Sequence, residues 1–202
     1  GEDILSYHSE SHSDIEKFKQ GGVDLQVFSI WVSPFDNHQR FFQDVNDMIN
    51  KLNFLVTRVP DRWNIAKSYQ DVMYNNRKNK MSCVIGVEGG HVIGEDIEKL
   101  DILHENGMRY LGLTWNNSNK LASSAKDEYT KRESLPYVGL TDFGKQVVRR
   151  CNEIGVLVDV SHIGEQAFWD VVNTTNDPII ASHSSVHKLC PHYRNLKDPQ
   201  IK

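Results

Sequence analysis

The chain has 202 residues, 39% of them hydrophobic and 25% charged, with a formal net charge of −4. That balance supports one sizeable core and excludes a disordered or fibrous protein, and no Lys/Arg cluster offers a footprint for nucleic acid or anionic lipid. No run approaches the roughly 18–20 apolar residues of a membrane span, and the first thirty residues lack the charged region and apolar stretch of a signal peptide. Cys83, Cys151 and Cys190 are odd in number and widely separated, so they read as free thiols of a reducing, cytoplasmic compartment, with a leader upstream of Gly1 left open.

In chain order, "HSD" at 12–14 has the form of an H-x-D metal pair. It precedes "IEKFKQGG", a helix or turn leading into the next strand, instead of following a strand, and is read as a decoy. "VDLQVFSIWV" (23–32) is the first strand. "DNHQRFFQDVNDMINKLNFLVTR" (36–58) carries Phe41, Val45, Met48, Ile49 and Leu52 on one helical stripe. "SYQD" at 68–71 has the shape of a capping box. "MSCVIGVEG" (81–89) is a second strand, followed by "EDIEKLDILHENG", a helix placing Ile97, Leu100, Ile102 and Leu103 before a terminating Gly107. "MRYLGLTW" (108–115) is a third strand. "TDFGKQVVRRCNEIG" starts on a Thr141 cap and stops at Gly155. "GVLVDVS" (155–161) and "PIIAS" (178–182) are the last strands, separated by the helix "EQAFWDVVNTT".

These five strands are continuous apolar runs, the mark of strands covered on both faces, and their alternation with helices makes a parallel sheet. The polar stretch 116–139 is far longer than the usual βα loop of about 2–6 residues and leaves a strand's C-terminal end, where function gathers in such folds. Strand-end residues are therefore the candidates: Glu88, Trp115 with Asn116, His162 and His183. A single histidine after a strand is ordinarily a loop or cap residue, and Glu88 beside two glycines could cap a helix. One carboxylate and two imidazoles at equivalent strand ends form instead the His₂Glu set of catalytic zinc, which lowers the pKa of a bound water to about 7. "EGGH" lacks the residues of a phosphate loop. Among the other histidines, His91 reads as a helix N-terminal residue, His104 as partly exposed, and His187 and His192 as surface loop residues; His8 and His38 have no motif around them.

"VIGVEGGHVIGEDIEKLDILHENGMRYLGLTWNNSN", "GVLVDVSH" and "PIIASHSSVHKLCPHYRNL", in that order, resemble the membrane (renal) dipeptidase family of zinc peptidases. The resemblance implies a (β/α)8 barrel in which a glutamate bridges two zinc ions and a metal-activated hydroxide cleaves dipeptides, often with a D-residue at the C-terminal position. It implies that Glu88 is the bridging carboxylate, that His162 and His183 hold the second zinc, and that Arg194 in "HYRN" binds the substrate or its tetrahedral intermediate, a task that suits a guanidinium fork. The family's own H-x-D pair would lie before Gly1 and its proton-shuttling aspartate beyond Lys202. Some relatives carry a histidine where Trp115 stands, whose role is unfilled or passes to Asn116 or Asn117. The expectation is one partial barrel domain over 1–202, of about five βα units, which binds at most one zinc and is inactive alone. Its edges at 23–32 and 178–182 should be open. A barrel hydrolase of cyclic amides or esters, and a non-catalytic binding protein on the same fold, are the rivals; the oligomeric state is left open.

Overall fold

The computed structural model describes residues 4–35 and 40–202; His38 lies outside them. Among the described residues six strands form one wholly parallel sheet: β1 (Leu25–Ile30), β2 (Trp63–Ile65), β3 (Met81–Glu88), β4 (Met108–Gly112), β5 (Leu157–Asp159) and β6 (Ile179–Ile180). Around them run α1 (Ile15–Gln20), α2 (Phe41–Thr57), α3 (Tyr69–Arg77), α4 (Ile97–Glu105), α5 (Ala125–Lys131), α6 (Asp142–Ile154), α7 (Glu165–Thr174) and α8 (Asp198–Ile201). The order across the sheet is β1-β3-β4-β5-β6, which puts the edges at β1 and β6 as the sequence predicts.

β2 is an addition to the predicted set. It pairs with Met81–Cys83 of β3, on the edge that β4 occupies farther along, from Ile85 to Glu88. Three residues, one of them Asn64, carry too little apolar pattern to be recognised in sequence. Two predicted strands shorten sharply: 155–161 to three residues and 178–182 to two.

Helix boundaries follow local chemistry. Ser68 caps α3 by accepting from the Asp71 backbone N–H, and Thr141 caps α6 by accepting from that of Gly144. Gly155 ends α6 at φ 73°, the left-handed conformation that glycine adopts without a Cβ penalty. On α2 the buried stripe is Val45, Ile49, Leu52 and Val56, whereas Met48 is exposed; on α4 Leu100 and Leu103 are buried and Ile102 is exposed. Both exposed residues lie one position off a stripe of period 3.6.

The core lies between the helices and one face of the sheet. Cys83, Ile85 and Val87 of β3, Leu111 of β4 and Val158 of β5 face it, packed against Val45, Ile49, Leu100, Val147 and Ala167. The other face is only partly covered: Leu25, Val27 and Leu157 are 37–40% exposed, so the expectation of strands buried on both faces holds for β3 and fails for β1 and β5. On this face the register aligns Ser29, Gly86, Tyr110 and Leu157 in one row, and Glu88, Gly112, Asp159 and Ile180 in the next toward the strand C-termini. The first row sets two small residues, Ser29 and Gly86, beside two large ones, Tyr110 and Leu157, and the Tyr110 ring occupies the space where Gly86 has no side chain.

Candidate metal centre

Glu88 is the last residue of β3, and its row on the open face directs the carboxylate toward the strand ends. Its Oε1 lies 3.1 Å from Nε2 of His162 and 3.2 Å from Nε2 of His183, and the two Nε2 atoms are 2.8 Å apart. Among the described residues these three form a cluster able to hold a metal ion. Ions bound at about 2.0–2.2 Å in tetrahedral geometry need ligand atoms about 3.3–3.6 Å apart, so a few tenths of an ångström of opening would admit one.

Each ligand is held from behind. His162 is buried and has φ 66°, a left-handed conformation that costs a non-glycine residue on the order of 1–3 kcal/mol. Its carbonyl accepts from the Ala125 N–H and its Nδ1 meets Asn116 Oδ1 at 3.0 Å, so the segment 116–139, which forms α5 instead of an unbroken loop, clamps it on two sides. With Asn116 Oδ1 as acceptor, the His162 proton sits on Nδ1 and the Nε2 lone pair faces Glu88. His183 meets Ser182 Oγ through Nδ1 at 2.8 Å, and Ser29 Oγ donates to Glu88 Oε2 at 3.2 Å. Burial holds the His162 imidazole below its ordinary pKa, against the pull of Glu88, so it is neutral at pH 7 and able to ligate. Burial works to raise the Glu88 pKa, but its neighbours, the two imidazoles first among them, outweigh it and hold the carboxyl below its ordinary value, so it is ionised at neutral pH. Converging acceptors around one point suit a cation.

Trp115, Asn116 and Arg194 surround this cluster. The Trp115 ring lies 6.1 Å from that of His162 and packs against Trp31 at 5.1 Å and Phe35 at 6.1 Å, making an aromatic wall. β4 ends at Gly112, so Trp115 and Asn116 sit in the loop beyond it. The Asn116 oxygen, open in sequence to a carbonyl-polarising role, is engaged with His162. Arg194 donates through an Nη to the His183 carbonyl at 3.1 Å, and burial lowers its pKa. A cavity of about 590 Å³ opens between Glu88, Tyr110, Ser182 and His183, and another of about 650 Å³ between Arg194, Tyr193, Tyr129 and Arg132.

The remaining histidines lie elsewhere. His12 is exposed, and Asp14 caps α1 by accepting from the backbone N–H groups of Glu16 and Lys17. His91 occupies a 3₁₀ turn, meeting the Val32 carbonyl at 3.1 Å through Nε2; His104 is partly exposed, His187 half-buried and His192 exposed. Residues missed in sequence are Asp159, Ser161, Ser182 and Ser29. Asp159 carried a readable signal, since a lone carboxylate inside "VLVDVS" must be buried with partners.

Comparison with known proteins places these residues in a family. The family model described as "Membrane dipeptidase (Peptidase family M19)" matches residues 3–202. The chain is 32% identical over 195 residues to "Dipeptidase tcpJ" of Claviceps purpurea, covering 93% of this chain and 45% of that one. Among solved structures, dipeptidase AC, a family M19 metallopeptidase, matches with a TM-score of 0.85 at 25% identity, over 98% of this chain and 61% of that one. A Rhodobacter sphaeroides metallopeptidase liganded with a phosphinate mimic of the dipeptide L-Ala-D-Ala matches at 0.84 and 23% identity, over 98% and 63%, and shows the fold. The chain thus spans about half to two thirds of the length of the proteins it matches. The match over nearly every residue, on a parallel α/β fold whose strand ends gather Glu88, His162 and His183, makes this chain a member of the membrane dipeptidase family, peptidase family M19.

Proposed function

We propose that the protein to which this chain belongs is a zinc-dependent dipeptidase, and that Glu88, His162 and His183 are metal ligands. The observation that carries this reading is the convergence of three ligand atoms within 2.8–3.2 Å of one another. Bound there, zinc would supply a water acidic enough to act as nucleophile near pH 7 and a Lewis acid for the peptide carbonyl. Glu88 contributes a carboxylate that is ionised at neutral pH, with Oε2 steadied by Ser29. Arg194, between the His183 backbone and the larger cavity, would bind the substrate carboxylate or a developing oxyanion through its remaining donors. Trp115 would exclude water from the ligand side of His162 and line the substrate pocket; Asn116 would act chiefly by orienting His162.

The finer parts of the reading are that the substrate is a dipeptide, with a D-residue tolerated at its C-terminal position, and that the complete site holds two zinc ions bridged by Glu88. The 202 residues alone, a single partial barrel domain in this reading, would hold at most one ion and turn over no dipeptide. No helix of the described residues is long and apolar enough to cross a membrane, and the free Cys83, Cys151 and Cys190 fit the reducing cytoplasm. A panel of L,L- and L,D-dipeptides, lactams and esters, run on the full-length protein with zinc, tests the substrate class. Dipeptide turnover is expected; cleavage of lactams or esters alone would overturn it.

A further inference from the structure

Asp159 is buried, with 1% of its surface exposed, and is not one of the three converging ligands. It nonetheless ties together the two segments that carry the histidines. Its Oδ1 accepts from the backbone N–H groups of Ser161 and Ser182, each at 3.0 Å, and its Oδ2 accepts from the Ser182 hydroxyl at 2.5 Å. Ser182 Oγ also lies 2.8 Å from Nδ1 of His183 and 3.3 Å from Ser161 Oγ, which in turn accepts from the His183 N–H at 3.1 Å.

A serine hydroxyl has one proton and two lone pairs. With two backbone N–H groups donating to Oδ1 and the Ser182 hydroxyl donating to Oδ2, Asp159 acts as an acceptor at both oxygens and claims the Ser182 proton, so what Ser182 presents to His183 is a lone pair. The imidazole must answer with a proton on Nδ1, which leaves the Nε2 lone pair facing Glu88 and His162. We propose that Asp159 is a positioning residue that, acting through Ser182, fixes His183 in the tautomer able to ligate a metal through Nε2. The proposal rests on the metal-centre reading for its purpose, though the tautomer itself can be observed without any ion.

Asp159→Asn tests it because the change is nearly isosteric and reverses one hydrogen bond. The two backbone N–H donors hold the asparagine oxygen at the Oδ1 position, since turning the amide over would set its NH₂ against both. The NH₂ therefore faces Ser182, whose hydroxyl becomes the acceptor and must send its proton elsewhere. The His183 Nδ1 lone pair at 2.8 Å is a nearer and more basic target than Ser161 Oγ at 3.3 Å. His183 then carries its proton on Nε2, where a metal would bind.

The experiment is titration of the metal-stripped full-length protein with zinc alone, together with nitrogen NMR of the imidazoles in the metal-free state. Asp159→Asn should weaken zinc binding about 10–100-fold, the usual size of such outer partners, and should move the His183 proton from Nδ1 to Nε2. Adding Ser182→Ala to Asp159→Asn should restore part of the affinity, because Nδ1 no longer faces a donor. A purely structural Asp159 predicts the opposite, a double variant at least as weak as the single. Should Asp159→Asn fail to fold, Ser182→Ala alone keeps both Oδ1 bonds and should release His183 into a mixture of tautomers. An unchanged His183 tautomer in the folded variants overturns the proposal. Wild type and His183→Ala titrating alike would overturn the metal reading, and the NMR result would still decide the relay by itself.

Discussion

Gly86→Ala probes whether the open face of the sheet is a packed layer. A Cβ at Gly86 would lie 2.0 Å from both Cε1 and Cζ of Tyr110 and 2.6 Å from Cδ1, against ordinary contacts of 3.4–4 Å. The Tyr110 ring must therefore retreat by about 1.5 Å, a displacement of the size that costs overpacked sites about 1–3 kcal/mol. Retreat also shifts the phenol against Ser29 and Ser182, which line the same cavity and in turn hold Glu88 and His183. Urea unfolding followed by circular dichroism should show a loss of about 1–3 kcal/mol with an unchanged m-value. Removing the ring first should abolish the clash, so in a Tyr110→Ala background the same change should cost almost nothing, giving a coupling energy of the same order. A cost below about 0.5 kcal/mol in wild type, within the range of neutral surface changes, or an equal cost in both backgrounds, would refute the packing argument.

Three other perturbations separate the site from its look-alikes. In the full-length protein, His162→Ala or His183→Ala should remove one metal and nearly all dipeptide turnover, whereas His12→Ala with Asp14→Ala should leave metal content unchanged and lower the melting temperature through the lost cap; equal metal losses would show the ligands to be misplaced. Backbone hydrogen bonds from Lys17 and His8 outweigh the effect of burial on Asp14 and lower its pKa from the usual 3.8 to about 2, so the stabilisation it gives α1 is present above pH 4 and disappears as pH falls through 2. An acid titration in which Asp14→Asn loses stability as steeply as wild type over that window would contradict this. Asn116→Ala leaves the His162 Nδ1–H without its acceptor in a buried place, and zinc affinity should drop about 10–100-fold; unaltered affinity would show that Asn116 does not orient the ring.

Much of the architecture was legible because the parallel core strand Met81–Glu88 is buried along its length and announces itself as an unbroken apolar run. Caps at Ser68, Thr141 and Gly155 were legible because their chemistry is local. Trp63–Ile65 was not, since its strand character comes from pairing with β3 and not from its own three residues. Glu88, His162 and His183 could be picked out by their place at strand ends, and Asp14 could be set aside because it precedes a helix instead of following a strand. Asp159 is conspicuous in sequence as a lone carboxylate in an apolar run, but its tie to Ser182 depends on hydrogen-bond direction between the end of β5 and the segment after β6, which spacing does not encode. The exposed Val27 and Leu157 escaped notice for another reason: an apolar run does not reveal whether both of its faces are covered in the chain at hand.

Anomalous diffraction from crystals of the full-length protein grown with zinc tests the central claim most directly. The account predicts an anomalous peak about 2.0–2.2 Å from Glu88 Oε1, His162 Nε2 and His183 Nε2 together. A fully occupied zinc elsewhere, with these three side chains still bonded only to one another, would contradict it.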